Sequence, residues 1–300
     1  MKVLTRSLVA LPLLAIALGA GAPMYADTTV EGQVGQNLGG SPSTLYSTGA
    51  QNGSAVSDNL PSWSFTCPSS TCSGYGISAN GAATVNDGSL GASSSVTVTG
   101  TPGAPLYGTA STTAVFTDML TITGGTGSGV LELTYALDGV ISNTGTGFNS
   151  SSAYLYMPAA STFQYDNEGI ASGGYVEIDG NGTYNDTVTY YIPFTYGTAL
   201  STELDLNANA LFAPGDSTSY TATVNYYNTA ALTSALVSGG TPSDPGAENN
   251  AADIGSASGL NYGPNGISAA VPEPSAWFLL ASAMGVLALA KRRGAFRPTL

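Results

Sequence analysis

The sequence predicts an all-β protein: an antiparallel β-sandwich, jelly-roll-like, flanked by an N-terminal signal peptide and a C-terminal hydrophobic helix. Three observations carry this. Period-two alternation of apolar and polar residues recurs in short segments. Gly-rich or Asn-Gly turns separate those segments, which favours an antiparallel sandwich over a parallel α/β sheet. The span from Asp27 to Pro274 is dominated by Gly, Ser, Thr, Asn, Ala and Tyr and has few helix-start signals, and it is long enough for one large β domain or two small ones.

Residues 1–26 read as a Sec-type signal peptide. Lys2 and Arg6 form the positive region, Leu8 to Ala22 the apolar stretch, and cleavage is expected after Ala26. An uncleaved anchor helix is the competing reading, but the run falls short of the ~20 residues a span needs. The body follows, over 27–237. From Thr28 to about Ala92 the alternation is weak, and loops with short edge strands are expected. Strands are then expected over 95–100, 113–123, 130–137, 153–157, 175–178, 183–194, 204–210 and 220–226. In the last three, Val188, Tyr190, Ile192 and Phe194, then Leu204, Leu206, Ala208 and Ala210, then Tyr220, Ala222, Val224 and Tyr226, face inward. Residues 238–270 read as a linker, part of which can return as an edge strand. Tyr-Gly-Thr-Ala occurs at 107–110 and 196–199, too short to define a repeat.

The C-terminal segment, 271–300, opens with Val271-Pro272-Glu273-Pro274. An apolar helix is expected over 276–290, and the basic cluster Lys291-Arg292-Arg293 follows. The two prolines fix φ and remove two backbone donors, so the tripeptide is extended and accessible. As a helix, 276–290 rises roughly 22 Å at ~1.5 Å per residue, and Trp277 and the basic cluster can reach opposite interfaces of a thicker bilayer. The positive-inside rule places the cluster in the cytoplasm and the body outside.

In order and content this segment resembles the PEP-CTERM sorting signal of Gram-negative bacteria. The resemblance covers the last thirty residues and implies that an exosortase-like membrane enzyme recognises the tripeptide, removes the helix and releases or transfers the product. The body is similar to the low-charge β domains that precede such tails. A plain membrane anchor is the alternative for the helix.

Charge excludes whole classes of function. All nineteen Asp and Glu lie between Asp27 and Glu273, while the six Lys and Arg lie outside that span and His is absent. Such a body has no side-chain cation to bind phosphate or a nucleic-acid backbone, so nucleic-acid partners are excluded. Ser-His-Asp, Cys-His and Ser-Lys arrangements are excluded too. A carboxylate pair, as in glycoside hydrolysis, is the chemistry left open, with Glu132, Asp138, Glu177 and Glu203 as candidates. Each sits among alternating strand residues where a solvent-facing charge is the ordinary explanation, and the chain reads as non-enzymatic.

Cys67 and Cys72 are expected to close a small disulfide loop in an exported chain. Asp179-Gly180-Asn181-Gly182-Thr183 begins like a Ca²⁺-binding EF-hand loop, with Asp186 as a further oxygen ligand. It then departs from that pattern, with Tyr184 where Gly is required and Tyr190 where Glu is required. A hairpin turn built on Asn-Gly is the simpler reading, and no cofactor other than Ca²⁺ is suggested. Seventeen Tyr, including the pairs Tyr190-Tyr191 and Tyr226-Tyr227, are compatible with half-buried strand residues or with a carbohydrate-stacking surface. The expectation is therefore an exported surface or matrix protein. Its expected partners are the Sec translocase, a sorting enzyme, the inner membrane transiently through 276–290, and exopolysaccharide.

Overall fold

The computed structural model describes residues 25–36, 43–47, 56–66, 76–86, 88–99, 106–145, 151–166, 168–212 and 219–268. All repetitive structure among them is β-strand, and among the described residues no helix is long and apolar enough to cross a membrane. Residues 1–24 of the expected signal peptide, Cys67 and Cys72, the motif from Val271 to Pro274, the helix expected over 276–290 and Lys291 to Arg293 lie outside the described residues.

Five strands lead the body: β1 (Tyr25–Gln36), β2 (Ser43–Ser47), β3 (Val56–Thr66), β4 (Gly76–Asn86) and β5 (Ser89–Thr99). Eight follow: β6 (Leu106–Thr123), β7 (Ser128–Thr144), β8 (Ser152–Tyr156), β9 (Thr162–Tyr165), β10 (Ala171–Ser172), β11 (Tyr175–Asp179), β12 (Gly182–Thr195) and β13 (Ala199–Phe212). These eight form one long hairpin of nested antiparallel pairs: β9 with β10, β8 with β11, β7 with β12, β6 with β13. The hairpin is rolled so that its pairs alternate between two sheets. The front sheet runs β11–β8–β13–β6 and the back sheet β10–β9–β12–β7. That order is a jelly roll. β14 (Ser219–Ser238) extends the back sheet from β7, followed by β5, β4 and β3, while β1 and β2 extend the front sheet from β6.

Two segments differ from expectation. Residues 28–92 hold long strands, and in β4 the alternation is carried by small residues. In β4 the buried Ala79, Gly81, Ala83 and Val85 alternate with Ser78, Asn80, Ala82 and Thr84, a pattern too shallow in hydrophobicity to stand out. The Asn-Gly at 181–182 does not turn a hairpin. β11 pairs with β8 in the front sheet and β12 with β7 and β9 in the back, so residues 180–181 carry the chain from one sheet to the other. Gly180 adopts φ +85°, which favours glycine, and the Tyr184 hydroxyl donates to the carbonyls of Asp179 (2.6 Å) and Gly180 (3.0 Å), pinning the corner.

The returning segment after β14 is folded onto the body. β15 (Asp253–Ser256) pairs with Leu120–Thr123 on the edge of β6 that β1 leaves free, and Ile254 and Leu260 are buried. β16 (Asn261–Gly263) and β17 (Gly266–Ser268) make a small ribbon beside β14.

The core fills the space between the sheets. Inward rows include Leu131, Leu133, Tyr135 and Leu137 of β7, and Leu204, Leu206, Ala208 and Ala210 of β13, which faces β14 and β5. Fully burying one such aliphatic side chain contributes about 1.5–3 kcal/mol. Tyr190 is buried with its hydroxyl donating to the Leu155 carbonyl at 3.0 Å across the sandwich, and its ring meets Tyr135 edge-on at 6.3 Å. Two inward hydroxyls, Ser94 and Thr112, lie 2.7 Å apart and reach the carbonyls of Ala208 (2.8 Å) and Ser93 (2.9 Å), so burial leaves neither unsatisfied.

Candidate functional site: an aromatic and acidic corner of the front sheet

Strand alternation that turns Ala153 and Leu155 inward turns Tyr154 and Tyr156 outward, and Val176 and Ile178 do the same for Tyr175 and Glu177. Strand pairing then sets two rows on the outer face of the front sheet. One runs Tyr175, Tyr156, Asp205, Val115; the next runs Glu177, Tyr154, Asn207, Thr113. The rings of Tyr154 and Tyr175 are 5.4 Å apart and tilted by 36°, and those of Tyr156 and Tyr175 are 6.4 Å apart. Among the described residues four large hydrophobic side chains are exposed. Three of them, Tyr156, Ile170 and Tyr175, belong to this corner or to the loop leading into it. Beside the corner, at the open edge between the sheets, lies a cleft of about 210 Å³ lined by Phe163, Tyr165, Glu168, Tyr175 and Glu177.

The floor beside the rings is polar and incompletely paired. Asn207 is 5 % exposed; its Nδ2 donates to Thr113 Oγ1 at 2.6 Å, while its Oδ1 is buried without a partner. Oδ1 of Asp205 is likewise buried and unpartnered. Burial, and secondarily Glu203 two residues away, push the Asp205 carboxyl up to about 6. The Tyr154 phenol is pushed up by burial and then by Asp205, and the Tyr175 phenol by burial and then by Glu177, so a negative field covers the patch. Exposed rings beside the carboxylates of Asp205 and Glu177 suit a ligand that offers both donors and a face to stack on.

The tyrosine pairs singled out in the sequence are not this platform. Tyr190 and Tyr226 are core residues, and Tyr191, on the outer face of the back sheet, is covered and donates to Gln164 Oε1 at 3.0 Å. The four candidate carboxylates are divided between the two outer faces. Glu132 and Asp138 stand on the back sheet, six residues apart on β7, roughly 20 Å at ~3.3 Å per residue. Glu177 and Glu203 share the front face but lie two strands and two rows apart, roughly 15 Å. Both separations exceed the ~5–9.5 Å of a glycosidase pair. Burial raises the Glu132 carboxyl above its usual range.

Of the residues considered for Ca²⁺, Asn181 and Asp186 are held by different partners, and the Asp186 carboxyl lies against that of Asp166. Asn181 pairs with the backbone of Asn143, accepting from its N–H at 2.7 Å and donating to its carbonyl at 3.2 Å. Asp186 accepts a short hydrogen bond from the Tyr165 hydroxyl, and Asp166, in the left-handed region at φ 45°, accepts from the Thr187 N–H at 2.7 Å. Among the described residues no three His, Cys, Asp or Glu side chains gather as a metal would require.

One carboxylate that sequence reasoning passed over is buried. Asp118 is 3 % exposed and stands in the inward row of β6 with Phe116, Leu120 and Ile122. Its Oδ2 accepts from Ser256 Oγ (2.6 Å), Ser258 Oγ (2.8 Å) and the Tyr262 hydroxyl (2.8 Å), and its Oδ1 from the Met119 N–H (2.7 Å). It clasps the returning segment to the sandwich. Its position in phase with apolar neighbours was the available signal.

Comparison with protein-family models, with curated proteins and with solved structures finds no match, so the corner is read from its own geometry.

Proposed function

We propose that the protein is an exported, non-enzymatic component of the cell surface or extracellular matrix, and that it holds polysaccharide on the front-sheet corner. The observation that carries this reading is the gathering of exposed tyrosines beside unpartnered polar oxygens on one sheet face. Stacking rings with adjacent acceptors serve to hold a polyhydroxylated chain. Export through the Sec translocase and release by an exosortase-like enzyme are supported by the partition of charge and by the Pro272-Glu273-Pro274 tail.

Two experiments test it. Mass spectrometry of surface or secreted protein is expected to find a C-terminus within 271–275, and Glu273→Ala to leave the protein in the membrane; an intact tail in the released fraction refutes the sorting reading. Pull-down on exopolysaccharide is expected to retain the protein and to fail for Tyr175→Ala with Tyr156→Ala. Release of reducing ends that is lost in Asp205→Asn would replace this reading with a glycosidase.

A further inference from the structure

We infer that the front-sheet corner is selective for the amine-bearing sugars of a hexosamine polymer, the tyrosines stacking on the rings while the acidic floor receives the ammonium groups. This rests on the polysaccharide-contact reading above. Three observations narrow the class of sugar.

Charge comes first. Eighteen acids lie between Asp27 and Asp253 with no Lys, Arg or His, so an acidic polysaccharide is repelled over the whole body and a cationic one attracted. The second is local. Asp205, Glu177 and Glu203 set three carboxylates on the face that carries the rings, and no side-chain cation of the body can pair with them. An ammonium group donates hydrogen bonds and brings the opposite charge, whereas a neutral hydroxyl supplies only the hydrogen bond. The third is the aromatic geometry. Tyr154, Tyr156 and Tyr175 converge with ring separations of 5.4 and 6.4 Å, and Glu177 and Glu203 share their face. A cation over such rings gains the attraction of their electron-rich faces, strengthened by the neighbouring carboxylates. Strands ~4.8 Å apart and rows ~7 Å apart make the patch about 10 Å across, which is enough for a short run of sugars along the chain.

The test is calorimetric titration of the purified full-length protein with four oligosaccharides of equal length at equal ionic strength: glucosamine, N-acetylglucosamine, glucose and a uronic acid. The glucosamine oligomer is expected to bind at least about tenfold tighter than its N-acetylated counterpart, and the uronic acid oligomer not to bind. Tyr175→Ala leaves net charge unchanged and removes an exposed ring, so it is expected to weaken glucosamine binding about tenfold. Asp205→Asn is expected to do the same. Asp138→Asn removes an equal charge from the other face and is expected to have no effect. Equal binding of the glucosamine, N-acetylated and glucose oligomers would overturn the inference while leaving polysaccharide contact standing. Glucosamine binding insensitive to Tyr175→Ala would show adsorption to overall charge and overturn it as well. Failure of every oligomer to bind would overturn both.

Discussion

Replacing Asp118 with Ala removes the one carboxylate that joins three hydroxyls and two backbone N–H groups from β6 and the returning segment. Hydrogen bonds to a charged group contribute about 1.5–3 kcal/mol each, but they are not additive here, because the segment can lift and rehydrate its donors. Each donor left buried without its acceptor costs about 1–3 kcal/mol, so a loss of about 3–5 kcal/mol is expected once partial rehydration is allowed for. The segment also brings Ile254 and Leu260 into the core, and detaching it sets an upper bound of similar size. For a body of this length 1 kcal/mol shifts Tm by about 2–4 °C, so a fall of roughly 10 °C is expected in calorimetry. Hydrogen exchange should show the loss concentrated in 253–262 and in Leu120–Thr123 of β6, while β7 and β12 keep their protection. Asp118→Asn, which keeps the shape and one acceptor, should fall between the two. A drop below about 2 °C, or exchange that quickens uniformly over the body, would refute the clasp.

Gly139→Ala should destabilise by about 1–3 kcal/mol, since a Cβ there would lie 2.3 Å from the fully buried ring of Tyr226, and denaturant melts measure it. The raised Asp205 carboxyl means that the folded state binds more protons than the unfolded one between about pH 4 and 6, so this group's contribution to stability falls as pH rises through that window. The groups facing it are Glu203 on its own strand, Tyr154 and Tyr156 on β8, and Tyr175 and Glu177 on β11, while β6 offers no titratable side chain there. Asp205→Asn should therefore raise Tm at pH 7 and flatten its change between pH 4 and 6; a lower Tm at pH 7 would contradict this. Raising NaCl should increase Tm by screening like charges, and millimolar Ca²⁺ at equal ionic strength should add little, with a shift of many degrees abolished by Asp179→Asn as the contrary result.

The strands of the roll were legible wherever the inward residues are large. Val188, Tyr190, Ile192 and Phe194, or Leu204 and Leu206, stand out against Thr and Asn neighbours, and all are buried. β4 was hidden because Ala and Gly carry its inward face. The sheet crossing at 180–181 looked like a hairpin because Asn-Gly specifies only a tight reversal, and which sheet receives the next strand depends on β7, some forty residues earlier. The tyrosine corner was illegible for the same reason. Tyr154 and Tyr175 are 21 residues apart and become neighbours only through the pairing of β8 with β11. Asp118 was legible in principle, since an acid in phase with Phe116, Leu120 and Ile122 must find donors, though not which donors.

The nested pairing of the roll has a consequence for how the chain finds its structure. Partners Phe163 and Ala171 are 8 residues apart, Leu155 and Val176 are 21, Tyr135 and Val188 are 53, and Ala110 and Ala210 are 100. Closing the outermost pair directly would cost roughly 2 kcal/mol more in loop entropy than closing the innermost, at about 0.6 kcal/mol per doubling. Once an inner pair is made, the next needs only a short additional loop, so the least costly order runs outward from β9 and β10. The second pair in that order, β8 with β11, brings the corner's tyrosines together, while Asp205 and Asn207 arrive with β13, which closes last with β6 and the returning segment held by Asp118. The proposed surface is thus assembled in two stages: substitutions at Tyr154, Tyr156 or Tyr175 register in the folding rate as well as in binding, whereas those at Asp205 or Asn207 register chiefly in the unfolding rate.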